Sequence, residues 1–485
     1  MLRRLGIGLL SSVLAACGTE APATAPDAGD GGVADPVLDA SPAPEAAPVV
    51  DAAPPRADVP AVPCNDTLAD AYVTPSSLPP MDLSRRGDVV RCAVDVSLTL
   101  SEVQSRIAAK GLATVATSGA SLLRVAFRTT RGDGRAGVSS ARVYLPKVPR
   151  ALPLPVIVIA HPSEGLAGSC ATSKNPSSLE DLALPWAALG YAVIAPDYAG
   201  LGNDDGVQAY LDNVDTGHST LDAARALRKT LSPGALSPKV LVAGHSQGGG
   251  AALAAQSLAS TYGAGGDLVG VVAFAPEWPT SLASFGYLNM LRHPEELTVM
   301  TGLSPSVVSV LRQYAYLANW VGLAHAADGF PVGARAAMAN AVESLCLTPL
   351  GGYLQGTALH VGDLVDDAVR TSLLACVDGG TCVEPGKSYL AYLQGNVLHG
   401  DPQGAPILLV QGLLDQVMPP ADEAACTLAT MKADGVATQV CVDGAATHTN
   451  VVGRNMDFAL GWAEKVLSGK AAPTCSAVGM PACSH

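Results

Sequence analysis

The stretch Lys239–Ala255, KVLVAGHSQGGGAALAA, constrains the fold more than any other part of the chain. Val240, Leu241, Val242 and Ala243 form a short apolar run with β-branched residues, the pattern of a strand covered on both faces of a parallel sheet. Ala251, Ala252, Leu253, Ala254 and Ala255 predict a helix, because alanine and leucine carry the highest helix propensity. Between them lies Gly244-His245-Ser246-Gln247-Gly248. A strand that passes directly into a helix must turn sharply, with the serine at the tip. The flanking positions are glycine because neighbouring backbone passes too close for a side chain. The free N–H groups of the new helix then point at the space around the serine. A partial copy, Gly217-His218-Ser219, has Leu221 in place of the last glycine and no apolar run before it. It predicts the start of a helix, with Ser219 or Thr220 near the cap.

From about residue 121 the chain alternates strand and helix signals. Strands are expected at Leu123–Thr129, Ser139–Leu145, Val156–Ala160, Ala192–Ala195, Lys239–Ala243, Val269–Ala273, Ile407–Gln411 and Gln439–Val442. Helices are expected at Leu179–Ala188, Ser219–Thr230 and Gly250–Tyr262. The first two strands alternate polar and apolar residues and suit a hairpin-like pair, whereas the later ones are almost wholly apolar. The fold class is therefore α/β, a mostly parallel sheet covered by helices. Its core comprises 121–276 and 405–470, and residues 63–120 form an N-terminal segment packed on it. About 130 residues separate Val269–Ala273 from the next sheet strand, more than an ordinary crossover needs. Leu311, Tyr314, Ala315, Leu317 and Ala318, spaced three and four apart, predict helices with a buried face. We read 277–404 as a helical cap insertion, with Tyr314, Tyr316 and Trp320 lining an acyl pocket.

Serine is a weak nucleophile and needs a base within hydrogen-bond reach, itself oriented by a carboxylate. The α/β-hydrolase fold supplies these in the order Ser, Asp or Glu, His. Two histidines follow a credible acid strand, His448 and His485. His485 is the last residue and is expected in solvent. His448 sits in a small-residue loop, DGAATHTN, just after a strand. Asp415 lies four residues beyond a buried strand, at the sheet edge where chemistry gathers. Asp443 competes for the acid role but ends its own strand, where a turn role suits it. The candidate triad is Ser246, Asp415 and His448. An oxyanion needs two preorganised N–H donors. Gln247 supplies one, and the loop His161-Pro162-Ser163-Glu164-Gly165 the other. Proline has no N–H, so Ser163 is the candidate, with Glu164 second. His161 is expected to pack beneath the site. This chemistry calls for no cofactor and no metal. The acidic loop 202–215 invites a calcium reading, but its spacing is not that of an EF-hand, and we read it as a solvated loop.

The first sixteen residues carry Arg3 and Arg4, then an apolar run too short to span a membrane, the pattern of a secretory signal peptide over 1–16. Leu14-Ala15-Ala16-Cys17 resembles a bacterial lipobox, in which Cys17 is lipidated and becomes the N-terminus. Gly18 rather than aspartate after it favours the outer membrane. Residues 17–62 are dominated by Ala, Pro, Asp, Gly, Val and Thr and read as a disordered tether. The net charge of −14 leaves no basic patch for nucleic acid. Eleven cysteines minus Cys17 leave an even number, as expected in an oxidising compartment. Many connectivities are compatible with them. Short separations favour Cys64–Cys92, Cys376–Cys382, Cys426–Cys441 and Cys475–Cys483, which leaves Cys170 with Cys346 and a disulfide-containing tail at 471–485.

The chain resembles the secretory lipase family of α/β-hydrolases. The resemblance is carried by HPSEGLAGSCATS (161–173), GYAVIAPDYAGLG (190–202), STLDAARALRK (219–229), GHSQGGGAAL (244–253), LLVQGLLDQVMP (409–419) and ATHTN (446–450). It implies catalytic roles for Ser246, Asp415 and His448, and a disulfide from Cys170 to the middle of the chain that suits Cys346. The chain departs from the family where His161-Pro162 stands in place of His-Gly. The expected function is a serine ester hydrolase of lipase or esterase type, acting on an ester or lipid substrate and held to a membrane by its N-terminal lipid. A serine peptidase or polyester hydrolase is the alternative on the same fold. A non-catalytic, lipid- or partner-binding surface lipoprotein is the alternative of another class.

Overall fold

The computed structural model describes residues 56–175, 179–281, 286–295, 304–475 and 477–484. The chain divides between Ala53 and Pro54, and every described residue belongs to the second unit. The signal peptide, Cys17, the tether up to residue 55 and His485 lie outside the described residues. At the end of the stretch read as tether, 56–62, Ala57 and Val62 pack against the core while Arg56, Val59 and Ala61 are exposed. Ala57 is fully buried, and Ala61 N–H donates to the Thr230 carbonyl at 2.7 Å.

The elements run β1 (Val89–Leu98), α1 (Leu100–Ala109), β2 (Ala120–Thr130), β3 (Ala136–Pro146), β4 (Leu154–Ala160), α2 (Glu180–Ala188), β5 (Ala192–Ala199), α3 (Asn213–Thr230), β6 (Leu236–His245), α4 (Gln247–Tyr262) and β7 (Asp267–Phe274). An insertion follows with α5 (Gly286–Arg292), α6 (Pro305–Tyr316), α7 (Arg335–Ser344), α8 (Leu347–Thr357), α9 (Asp367–Val377) and α10 (Gly386–Gly395). The core resumes with β8 (Ile407–Gly412), α11 (Ala424–Ala433), β9 (Thr438–Asp443) and α12 (Val451–Leu467).

The strands form one nine-stranded sheet in the order β1-β2-β3-β5-β4-β6-β7-β8-β9. The first three strands are antiparallel, and β3 meets β5 antiparallel. From β5 onward every pairing is parallel. This is an α/β-hydrolase-like sheet. All eight expected strands are present, and β1 is an additional edge strand.

Alternation along the strands divides the apolar residues between two faces. Val156, Val158, Val240 and Val242 meet Leu221 and Leu227 of α3, Leu253 of α4 and Met431 of α11. Ile157, Ile159, Leu241 and Ala243 face Ile107 of α1, Trp186 of α2 and Trp462 of α12. Covering both faces is what makes near-continuous apolar strands soluble.

Two local readings are corrected. Helix α3 starts six residues before Ser219, at Asn213, and its cap is Asp212, whose carboxylate accepts the Asp215 N–H at 2.9 Å. Ser219 is interior and buried, and its hydroxyl accepts the Ala199 N–H at 3.1 Å. The loop before it is not solvated throughout. Gln208, Asp212, Asn213 and Asp215 are all buried, since Arg131 pairs with Asp215 at 2.7 Å and Asn396 holds Asn213.

The disulfides are Cys64–Cys92, Cys170–Cys346, Cys376–Cys382, Cys426–Cys483 and Cys441–Cys475. The expected pairs Cys426–Cys441 and Cys475–Cys483 do not form. Cys426 lies on α11, which covers one face of the sheet, whereas Cys441 points to the opposite face with α12. The sheet separates them, and each takes a cysteine of the C-terminal tail.

The insertion has an apolar core of its own, in which Leu311, Tyr314, Phe330, Leu350 and Leu354 pack together. Leu166, Tyr210 and Leu211 join the same cluster from outside it, so these helices also seat on the loops after β4 and β5.

Candidate active site

Ser246 links the end of β6 to the start of α4. Its φ of 56° and ψ of −120° lie in the left-handed region, a conformation that persists only where the surroundings enforce it. Glycine on either side is what permits the turn. A Cβ on Gly244 would meet the Gly248 carbonyl oxygen at 2.0 Å, and one on Gly248 would meet the Ala160 oxygen at 2.1 Å. The turn is pinned from below. Ser246 N–H donates to the Phe274 carbonyl at 2.9 Å, and Glu277 N–H donates to the Ser246 carbonyl at 3.1 Å.

Three residues far apart in sequence meet at this turn. His448 follows β9, and its Nε2 lies 2.9 Å from Ser246 Oγ. Its Nδ1–H donates to Asp415 Oδ2, also at 2.9 Å. With the Nδ1 proton engaged by the carboxylate, Nε2 is the ring nitrogen left to face the hydroxyl. Asp415 Oδ1 accepts the N–H groups of Val417 at 2.9 Å and Met418 at 2.8 Å. Gln411 Nε2 reaches Oδ2 at 3.3 Å. Burial alone would raise the Asp415 carboxyl. The hydrogen bond and charge of His448, with the N–H groups of Met418 and Val417, outweigh it and hold the carboxyl below its ordinary value. All three residues are buried, Ser246 to 1% exposure.

Asp443, the competing acid, faces elsewhere. It takes Arg454 at 2.7 and 3.0 Å and the Ala445 N–H at 2.9 Å, which makes it a turn and helix anchor.

Ser163 is buried after β4, and its hydroxyl shares a hydrogen bond of 2.7 Å with Tyr210. The loop is held from the insertion side by Leu347 N–H to the Glu164 carbonyl at 2.8 Å and by Cys170–Cys346. Gln247 opens α4 directly beside Ser246, and its buried side-chain Nε2 takes no partner among the described residues. His161 is fully buried, packed 4.4 Å from the Tyr198 ring, with Nε2 on the Asp197 carbonyl at 3.2 Å.

Two contributors escape sequence reasoning. His245 Nε2–H donates to the His448 carbonyl at 2.9 Å, and burial, aided by the charge of His448, pushes the His245 imidazole down to about 3. It is a neutral donor under ordinary conditions. Asp197 of β5 accepts Ser140 Oγ at 2.7 Å, Thr172 Oγ1 at 2.9 Å and Ser173 N–H at 2.8 Å, tying the loop that carries Cys170 to the sheet. The variable position of the pentapeptide could have signalled the first, since a histidine there is polar in a buried setting. Nothing in the sequence marked the second.

Tyr316 and Trp320 line a cavity that none of Ser246, Asp415 and His448 lines, and the Tyr314 hydroxyl is bound to Glu343. Tyr316 and Trp320 therefore border a cavity distinct from the space at the serine.

Residues 179–283, which contain the Ser246 turn, match the Secretory lipase family model. No curated protein matches the chain. Among solved structures, the chain is similar to lipase A of Candida antarctica in its closed state, with 17% identity and a TM-score of 0.60 over 87% of this chain and 92% of that one. It is also similar to the rice cell wall degrading esterase LipA from Xanthomonas oryzae, with 20% identity and a TM-score of 0.58 over 79% of this chain and 97% of that one. At these identities the likeness establishes the fold. The secretory lipase match supports a carboxylic ester hydrolase.

Proposed function

We propose that the protein hydrolyses carboxylic esters through an acyl-enzyme, with Ser246 as nucleophile, His448 as general base and acid, and Asp415 as its orienting carboxylate. The observation that carries this reading is the unbroken hydrogen-bonded chain from Asp415 Oδ2 through the His448 ring to Ser246 Oγ, 2.9 Å at each link. Ser246 Oγ attacks the ester carbonyl as its proton passes to His448 Nε2. The carbonyl oxygen takes the negative charge, and the backbone N–H groups of Gln247 and Ser163 stabilise it. Collapse breaks the carbon–oxygen bond to the alcohol, which leaves with the proton from His448. Water then repeats the sequence on the acyl-enzyme, regenerating Ser246 and releasing the acid. Asp415 stays ionised throughout, as its depressed pKa favours.

The insertion at 277–404 acts as a cap, which its packing on Leu166, Tyr210 and Leu211 supports. Ser246 is 1% exposed, so on this reading substrate entry requires the residues that cover it to shift. Export is supported by the disulfides and the secretory lipase match. Among the described residues no helix is long and apolar enough to cross a membrane. Lipidation at Cys17, with the following tether, anchors the enzyme outside the cytoplasm on this reading.

A p-nitrophenyl ester series from acetate to palmitate tests it. We expect kcat/KM to rise from acetyl to at least hexanoyl, since each buried methylene contributes about 0.8 kcal/mol, and then to fall. Release of dipeptides at rates rivalling esters would move the protein to the peptidases.

A further inference from the structure

A cavity of about 470 Å³ lies between the insertion and the core, apart from Ser246, Asp415 and His448. Tyr316, Trp320 and Tyr392 line it from the insertion, and Asp212 from the core. The rings are inclined walls. Trp320 and Tyr392 lie 5.8 Å apart at 54°, and Tyr316 and Tyr392 lie 4.9 Å apart at 39°. Tyr316 is 2% exposed, and its hydroxyl has no partner among the described residues.

The charges around the cavity do not balance. Asp212 and Asp215 are both buried, and the adjacent Arg131 is committed to Asp215 at 2.7 Å, the Val207 carbonyl at 2.9 Å and Asn319 Oδ1 at 2.8 Å. Arg312, the next guanidinium on the insertion side, pairs with Glu277 at 2.7 Å. Burial, and after it the charge of Asp215, pushes the Asp212 carboxyl up to about 7, the response of a buried carboxylate short of a cation.

We propose that this cavity binds a small organic cation, an ammonium or methylated ammonium group, with Asp212 as counter-ion, the rings of Trp320 and Tyr392 around it, and Tyr316, stacked on Tyr389 at 4.1 Å, in the wall beside them. Ring faces attract such cations through their quadrupole, most strongly where water is excluded. A metal ion fits less well. Three of the walls are aromatic, and among the described residues no group of His, Cys, Asp or Glu is arranged to hold one.

Titration calorimetry of the full chain tests the site with choline against 3,3-dimethyl-1-butanol, its neutral isostere. Choline is expected to bind roughly tenfold or more tightly than the alcohol. Asp212→Asn retains an oxygen to cap α3 and is expected to remove that difference. Trp320→Ala, at a side chain 45% exposed, is expected to weaken choline severalfold. If Asp212→Asn does not fold, the choline-to-alcohol ratio and Trp320→Ala decide the matter. Equal binding of the two probes, no binding of choline, or unchanged choline affinity in Trp320→Ala would overturn the proposal.

Discussion

His245 and His448, separated by most of the second half of the chain, are joined by a hydrogen bond of 2.9 Å from the ring of one to the backbone carbonyl of the other, with ring centroids 4.8 Å apart. The bond fixes the loop that carries His448 to the strand that carries Ser246. His245→Ala removes the donor and leaves a buried carbonyl unpaired, a cost of about 1–3 kcal/mol. We expect kcat to fall by roughly ten- to a hundredfold with the fold retained, measured on a p-nitrophenyl ester alongside circular dichroism.

Asp415 and Asp443 are separated by what they hold. Asp415→Asn loses control of the His448 tautomer and is expected to lower kcat by about 10⁴-fold. Asp443→Asn weakens the link to Arg454 and is expected to leave turnover near that of the parent. The reverse pattern would assign the acid role to Asp443.

Cys170–Cys346 closes a sequence separation of 176 residues, and Cys376–Cys382 one of 6. Chain entropy assigns about 5 kcal/mol to the first and about 2 kcal/mol to the second. Thermal scans of the two double-serine variants should show the larger fall in Tm for Cys170→Ser with Cys346→Ser.

Glu423 is raised to about 8, by burial first and then by the charge of Glu277. In the unfolded chain it ionises near an ordinary glutamate value, so between that value and about 8 the folded state binds the extra proton. Stability therefore falls as pH rises through this window and levels off above it. Glu423→Gln removes the effect, and the variant should gain Tm over the parent at pH 9 but not at pH 5.

Where the sequence was legible, a strong local rule agreed with the tertiary structure. The apolar runs from Val156 to Val442 became strands because a parallel sheet buried on both faces requires them. The glycines around Ser246 announced a close backbone approach, and the structure shows it at the Ala160 carbonyl. What escaped depends on partners that are distant in sequence. Strand β1 interrupts its apolar pattern with Arg91 and Asp95, which are satisfied by Asp66 and by Arg124. The loop before α3 looked solvated because the partners that bury it, Arg131 and Asn396, lie far along the chain. Short separation misled the pairing of Cys426 and Cys441, because it ignores which face of the sheet each side chain takes.

The central claim is that Ser246 is the nucleophile. Reaction of the protein with a fluorophosphonate, followed by peptide mass spectrometry, reads this directly. The account predicts a single covalent adduct, on Ser246, formed in step with the loss of ester hydrolysis and absent in a folded, inactive Ser246→Ala variant. Labelling of another residue, or ester hydrolysis that survives in Ser246→Ala, would contradict it.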